Sequence, residues 1–184
     1  MVRYSYDCVK DIDMRILEII QGRRSVREFK HTEIPEEAID ALIEAIRWAP
    51  SAGNLQSRKF YFVFNQDIKR RLARAALNQN FLAEAPLVVV ACLDRGIAAR
   101  YGDRGVHLYS IQDAAVSVEN MMLTAHELGL GSVWVGSFNE RDVAEVMNLP
   151  DNLRPVAIVP IGYPARTPTA PPRNSREKAV EFIT

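Results

Sequence analysis

Residues 23–29 read RRSVREF and place three arginines, Arg23, Arg24 and Arg27, within five positions around Ser25. Guanidinium groups are planar and permanently charged, so beside a hydroxyl they suit a phosphate. Each charge-assisted hydrogen bond contributes about 1.5–3 kcal/mol net. A solvated basic turn answered by Glu28 accounts for the same residues equally well. A second stretch, APSAGNLQ (49–56), gathers Ser51, Gly53, Asn54 and Gln56. Amides read the donor–acceptor edge of a heterocycle, although Asn54 also satisfies a turn's own backbone. The glycines of GLGSVWVGSF (129–138) are not spaced G-x-G-x-x-G and follow a helical pattern instead of opening one. They are therefore no dinucleotide fingerprint, but Gly136 permits close approach of backbone to a ligand. His31, His107 and His126 lack metal-ligand spacing, and no Ser–His or Cys–His arrangement supplies a nucleophile.

The elements that position these residues belong to an ordinary globular chain. Its 184 residues are 48% hydrophobic and 25% charged, enough for one domain with a core. A formal charge of zero argues against a general nucleic-acid binder, which makes the basic cluster local. Two cysteines, Cys8 and Cys92, are too few for a disulfide framework. Cys92 ends the apolar run PLVVVAC and reads as a buried, reduced thiol. No stretch approaches the roughly 20 apolar residues of a membrane helix, and MVRYSYDCVK lacks an apolar signal core. A cytoplasmic protein is expected.

Helical periodicity predicts helices over 12–21, stopped by Gly22, and over 35–50, with Pro35 in the first turn. It predicts an exposed amphipathic helix over 68–77, and a long one over 107–129 lined by Leu108, Ile111, Ala115, Val118, Met122 and Ala125 and capped by Gly129. Another helix is expected over 139–149, with Asn139 as N-cap. KFYFVFN (59–65), PLVVVACL (86–93), SVWVG (132–136) and RPVAIVPIGYP (154–164) read as strands. LNQNFLAE (77–84) and DRGIAARYGDRG (94–105) read as loops. Six of the ten prolines fall in the last 30 residues. PARTPTAPPRN therefore predicts an extended arm, which would dock on a partner subunit and end in a short strand or helical turn.

Taken in order, RRSVREF (23–29), APSAGNLQ (49–56), QDAAVSVENMMLTAHELGLGSVWVG (112–136) and PVAIVPIGYP (155–164), with Arg173 beyond, resemble the nitroreductase family of flavin enzymes. The resemblance runs from Asp13 to the end of the chain. It implies an α+β fold, a three-layer sandwich with a mostly antiparallel central sheet flanked by helices. It further implies an arm-exchanged homodimer with FMN at the subunit interface. The whole chain, 1–184, is then one FMN-binding domain, with 164–184 as its arm. By this resemblance Arg23, Arg24, Ser25 and Arg173 hold the FMN phosphate, and Arg27, Asn54 and Gln56 attend the flavin ring. Trp134, Val135, Gly136 and Ser137 form the segment along the ring. No catalytic side chain is required, since the flavin carries the chemistry and Arg27 and Gly136 tune it.

The implied reaction moves hydride from NADH or NADPH to an electron-poor acceptor such as a nitroaromatic or quinone. Dehalogenation, dehydrogenation, flavin destruction and FMN binding without nicotinamide turnover are the alternatives. Phe81, Tyr101 and Arg104 are candidates to face the substrate. Two departures from the family pattern occur near the flavin. Gln56 is followed by Ser57, Arg58 and Lys59 where many relatives have Pro-Trp, and Trp134–Ser137 stands where many carry Pro–hydrophobic–Glu–Gly.

Overall fold

Two apolar runs form the centre of the sheet. In the computed structural model, which describes residues 15–183, Leu87–Asp94 (β2) pairs antiparallel with Arg58–Val63 (β1) on one side and Leu153–Gly162 (β4) on the other. A two-residue strand, Gly131–Ser132 (β3), completes the order β1-β2-β4-β3. Side chains alternate across a strand, so β2 feeds both faces. Val88, Val90 and Cys92 join one core cluster, and Leu87, Val89 and Ala91 the other.

The first face is covered by Gln66–Ala75 (α3), Phe81–Glu84 (α4) and Glu140–Met147 (α7), which bring Leu72, Leu82 and Val143 to the sheet. The second is covered by Glu36–Arg47 (α2) and Ser110–Glu127 (α6), through Leu42, Ile46, Val118, Met121 and Ala125. The result is the three-layer α+β sandwich. Arg15–Gly22 (α1) packs on α6 but buries none of its own residues. Ile12 and Cys8 lie outside the described residues.

Several expectations are corrected. Pro35 is the N-cap of α2, not part of its first turn. The 77–84 loop contains the helical turn α4, because the Gln79 and Asn80 carbonyls accept from the amides of Leu82 and Ala83. Residues 95–105 are largely helical instead: Asp94, the end of β2, caps a 3-10 turn over Arg95–Ile97 by accepting from the Gly96 amide at 2.8 Å, and Ala98–Arg104 (α5) follows, kinked at Gly102. A wide π turn over Gly105–Tyr109 then leads into α6, which starts at Ser110 instead of 107. Ile111 does not line the core of α6, being 39% exposed. Ser110, Asp113 and Ser117 take buried positions, with the two hydroxyls bonded to the carbonyls of Val106 and Asp113. Helix α3 is less exposed than its sequence suggests, since Lys69, Leu72, Ala73 and Ala75 are buried. SVWVG is not one continuous strand. After β3, pairing resumes only at Val135 opposite Ile158. That register puts Val133 opposite Pro160, which has no N–H to donate.

Other expectations hold. Asn139 caps α7 by accepting from the amides of Arg141 and Asp142 at 3.0 and 3.2 Å. Gly129, at φ 76°, follows the end of α6 in the left-handed region that ends helices. Cys92 is free and buried, and burial pushes its thiol up to about 12. Beyond β4 the chain runs extended to a short helix, Arg176–Ala179 (α8). No helix among the described residues is long and apolar enough to cross a membrane.

Candidate functional site

The arginine segment is held by its two apolar members. Val26 and Phe29 are buried, so the residues between and beside them face outward. The Val26 amide donates to the Ser132 carbonyl at 3.0 Å, and Ser25 bridges Ser132 in parallel. On the other side the Lys30 amide donates to the Tyr163 carbonyl at 2.8 Å, and Ala165 donates to Glu28 at 2.9 Å. The segment is thus stitched onto the end of the sheet instead of forming a free loop. Gly131 makes this possible. A side chain there would begin 2.7–2.9 Å from the three branch carbons of Val26.

Arg23, Arg24, Ser25 and Arg27 line a cleft of about 250 Å³, closed on the far side by the proline-rich arm and Arg173. Four arginines from both ends of the chain therefore line one cleft together with one hydroxyl residue. Arg24 is braced by donating to the carbonyls of Gln21 and Arg23 at 2.5 and 2.8 Å. Arg27 lies over the Phe81 ring, 6.0 Å from its centre. Buried Nε of Arg23 and Oγ of Ser132 have no hydrogen-bond partner. The carboxylate of Glu119 stays 3.9 Å from Arg23 Nε, too far for a hydrogen bond. Excess positive charge and orphaned polar atoms suit an anion with several acceptor oxygens, as a phosphate has. His126 lines the adjoining cavity beside Arg23, Arg24 and Ser132. Burial first, and then the charges of Arg23 and Arg24, hold its imidazole below the ordinary 6.5.

The amide turn lies between α2 and β1. A short 3-10 turn, Ala52–Asn54, contains Gly53 at φ 54°, and Asn54 and Gln56 adopt φ 54° and 51°. Asn54 and Gln56 are exposed. Sequence reading missed the residues that hold this turn. Asp113, on the buried face of α6, accepts from the Ala52 amide at 2.9 Å. Arg58 donates to the carbonyls of Ile46, Ala49 and Pro50, closing the end of α2. Burial lowers the Arg58 guanidinium from its ordinary value, and the Asp113 carboxylate partly opposes this. No local signal joins positions so far apart in sequence. Arg58 stood out only as a departure from the family pattern.

The remaining candidates divide. The Tyr101 hydroxyl sits against Gly53, where a side chain would begin 2.4 Å away. Tyr101 thus covers the amide turn, while its ring meets Tyr109 edge-on at 5.3 Å. Arg104 turns to the same Tyr109, donating to its hydroxyl at 2.9 Å. Trp134 is half-exposed beside Gly136, Val135 is buried, and the Ser137 carbonyl accepts from Gln79 at 3.0 Å.

Known proteins resemble this chain in sequence and in fold. The description "Nitroreductase family" matches residues 20–163. A relative from Methanothermobacter thermautotrophicus, whose name carries both NADH dehydrogenase and NAD(P)H nitroreductase, is 31% identical over 159 residues, covering 84% of this chain and 80% of the relative. The FMN reductase (NADPH) of Bacillus subtilis is 29% identical over 171 residues, covering 85% and 69%. Among solved structures, NfrA2 of B. megaterium superposes with a TM-score of 0.85 at 27% identity, over 92% of this chain and 74% of that one. The NADPH:FMN oxidoreductase of Vibrio harveyi, complexed with NAD+, gives 0.84 at 26%, over 92% and 77%. With a matching profile over most of its length, and with the sandwich and the basic cleft in place, this chain belongs to the nitroreductase family.

Proposed function

We propose that this protein is an FMN-dependent oxidoreductase that takes its electrons from NADH or NADPH. The observation that carries the reading is the cleft lined by Arg23, Arg24, Ser25, Arg27 and Arg173, with Arg23 Nε lacking a hydrogen-bond partner. The printed names of relatives, an FMN reductase and an NADPH:FMN oxidoreductase, agree with it. When bound, FMN supplies the chemistry: it accepts hydride from the nicotinamide and passes it to an electron-poor acceptor such as a nitroaromatic or quinone.

The chain's own residues bind and tune. Arg23, Arg24, Ser25 and Arg173 hold the phosphate by charge-assisted hydrogen bonds. Asn54 and Gln56 read the polar edge of the ring through their amides. Arg27 places positive charge where the reduced ring carries negative charge, and the Phe81 face under its guanidinium fixes that charge in place. The Gly136 backbone, without a side chain, allows the ring to lie against the Trp134–Ser137 segment. Phe81, Tyr101 and Arg104 face the substrate side.

The working unit is a homodimer sharing this site, and residues 1–184 act as one domain whose 164–184 arm serves the interface. Exposed Ile16 and Ile20 on α1 and Trp48 just after α2, with Phe182 and Ile183 at the arm's end, supply apolar surface for such a contact. A cytoplasmic location fits the need for reduced nicotinamide.

The test is an absorbance spectrum of the purified protein, followed by anaerobic NADH and NADPH. Flavin bands that bleach with either nucleotide are expected. A colourless protein that refuses added FMN refutes the reading.

A further inference from the structure

We propose that Asp113 is a positioning residue for the flavin: its carboxylate reaches out of α6 to fix the turn that carries Asn54 and Gln56. The inference rests on reading that turn as part of the flavin site.

The turn is costly by itself. Gln56 adopts φ 51°, a region disfavoured for most residues with a Cβ, beside Asn54 at 54°, where Asn is better tolerated. Its internal bonds, Asn54 N–H to the Ser51 carbonyl at 3.0 Å and Gln56 N–H to Ser51 Oγ at 3.0 Å, shape it without attaching it to the body. Strained turns persist where the surroundings over-determine them. Here Arg58 fixes the incoming end through Ala49 and Pro50, and its own amide holds the Gln56 carbonyl at 2.7 Å. Tyr101 covers Gly53. The middle of the turn is anchored to α6 by the bond from Ala52 N–H to Asp113 Oδ1, 2.9 Å long.

Asp113 gains from the nearby Arg58 charge but is otherwise a costly choice for stability. It is 5% exposed, and its Oδ2 has no hydrogen-bond partner. Burying a carboxylate with one oxygen unsatisfied is unfavourable. What the position gains is a rigid acceptor, on the longest helix, aimed at one turn amide. Placement of Asn54 and Gln56 then follows from α6 and not from the turn's own preferences.

The experiment compares wild type with D113N, D113E and D113A. FMN affinity is read by flavin fluorescence quenching, the bound flavin by its visible band and reduction potential, and the apoprotein by its Tm. D113N keeps an oxygen at the Oδ1 position, and its affinity is expected within about threefold of wild type. D113E keeps the charge but moves the carboxylate by one methylene. D113E and D113A are expected to bind FMN roughly tenfold to a hundredfold more weakly, with the visible band and potential of the saturated protein shifted. If D113A does not fold, the order of D113N and D113E decides. The reverse order assigns the role to charge and overturns the proposal. Variants that lower only the apoprotein Tm, leaving affinity, band and potential at wild-type values, overturn it too. Wild-type protein that takes up no FMN overturns the flavin reading itself, a result distinct from either.

Discussion

Gly131→Ala is a small change with a calculable consequence. The new methyl carbon would start 2.7 Å from Val26 Cγ2, 2.8 Å from Cβ and 2.9 Å from Cγ1. Ordinary carbon contacts are about 3.5–4.0 Å, so roughly 0.6–1.3 Å must be found. Rotating the Val26 side chain does not supply them, because its Cβ is fixed to the backbone. The backbone of residues 25–27 must therefore move away from β3, against the 3.0 Å bond from Val26 N–H to the Ser132 carbonyl. Overpacking of this kind costs roughly 1–3 kcal/mol. The displaced residues are those lining the arginine cleft; if it holds the FMN phosphate as proposed, each charge-assisted hydrogen bond there contributes about 1.5–3 kcal/mol. Loosening one of them weakens FMN about tenfold or more. Urea unfolding of the apoprotein reads the first effect, and FMN titration the second. Val26→Ala in the same chain removes both γ carbons but leaves Cβ, so rescue should be partial. G131A with wild-type urea midpoint and wild-type FMN affinity would refute the idea that β3 sets the position of the arginine segment.

Three further outcomes follow from particular contacts. Lys69, buried with its ammonium donating to the carbonyls of Ala85 and Pro86 at 2.6 and 3.3 Å, is replaceable by Met only at a cost. Two carbonyls lose their donor, so K69M should destabilise by roughly 1–3 kcal/mol in urea unfolding; an unchanged midpoint would show that relief of the buried charge compensates in full. His126 is held below 6.5, so between its folded value and 6.5 the unfolded chain binds more protons, and stability falls as pH drops through that window. H126Q should remove this part of the slope in urea midpoints at pH 7.5 and 5.5, and equal slopes in both proteins would disprove the assignment. Glu140 is held below the usual carboxylate value chiefly by its hydrogen bonds from Arg154, at 2.8 and 2.6 Å. This stabilisation is present above the ordinary 4.5 and lost as pH falls through the folded value. E140Q should cost about 0.5–1 kcal/mol near neutrality for so exposed a pair, and the difference from wild type should shrink in acid; a constant difference would contradict it.

Legibility in the sequence depended on how local the cause was. Strand β2 was legible because seven consecutive buried positions leave an unbroken apolar run, and the N-cap of α7 because Asn139 acts on amides two and three residues ahead. The α5 region was not, because Gly96 and Gly102 interrupt it and its start depends on the Asp94 side chain. The continuity of SVWVG was misread for a related reason. What breaks it is Pro160 on a neighbouring strand, a residue that no window around 132–136 contains. The candidate site divides along the same line. RRSVREF carries its chemistry within seven residues, Arg173 was legible through the family resemblance, and structure adds the buried Ser132 and His126 beside them. The amide turn shows its own polar residues in the sequence, but the groups that contact it come from α6, β1 and α5. Asp113 looks in sequence like a polar residue on an apolar helix, and its meaning appears only when Ala52 is found 2.9 Å away. In this fold, residues suited to hold an anion are readable from type and spacing, whereas residues that orient them belong to other elements and require the packed structure.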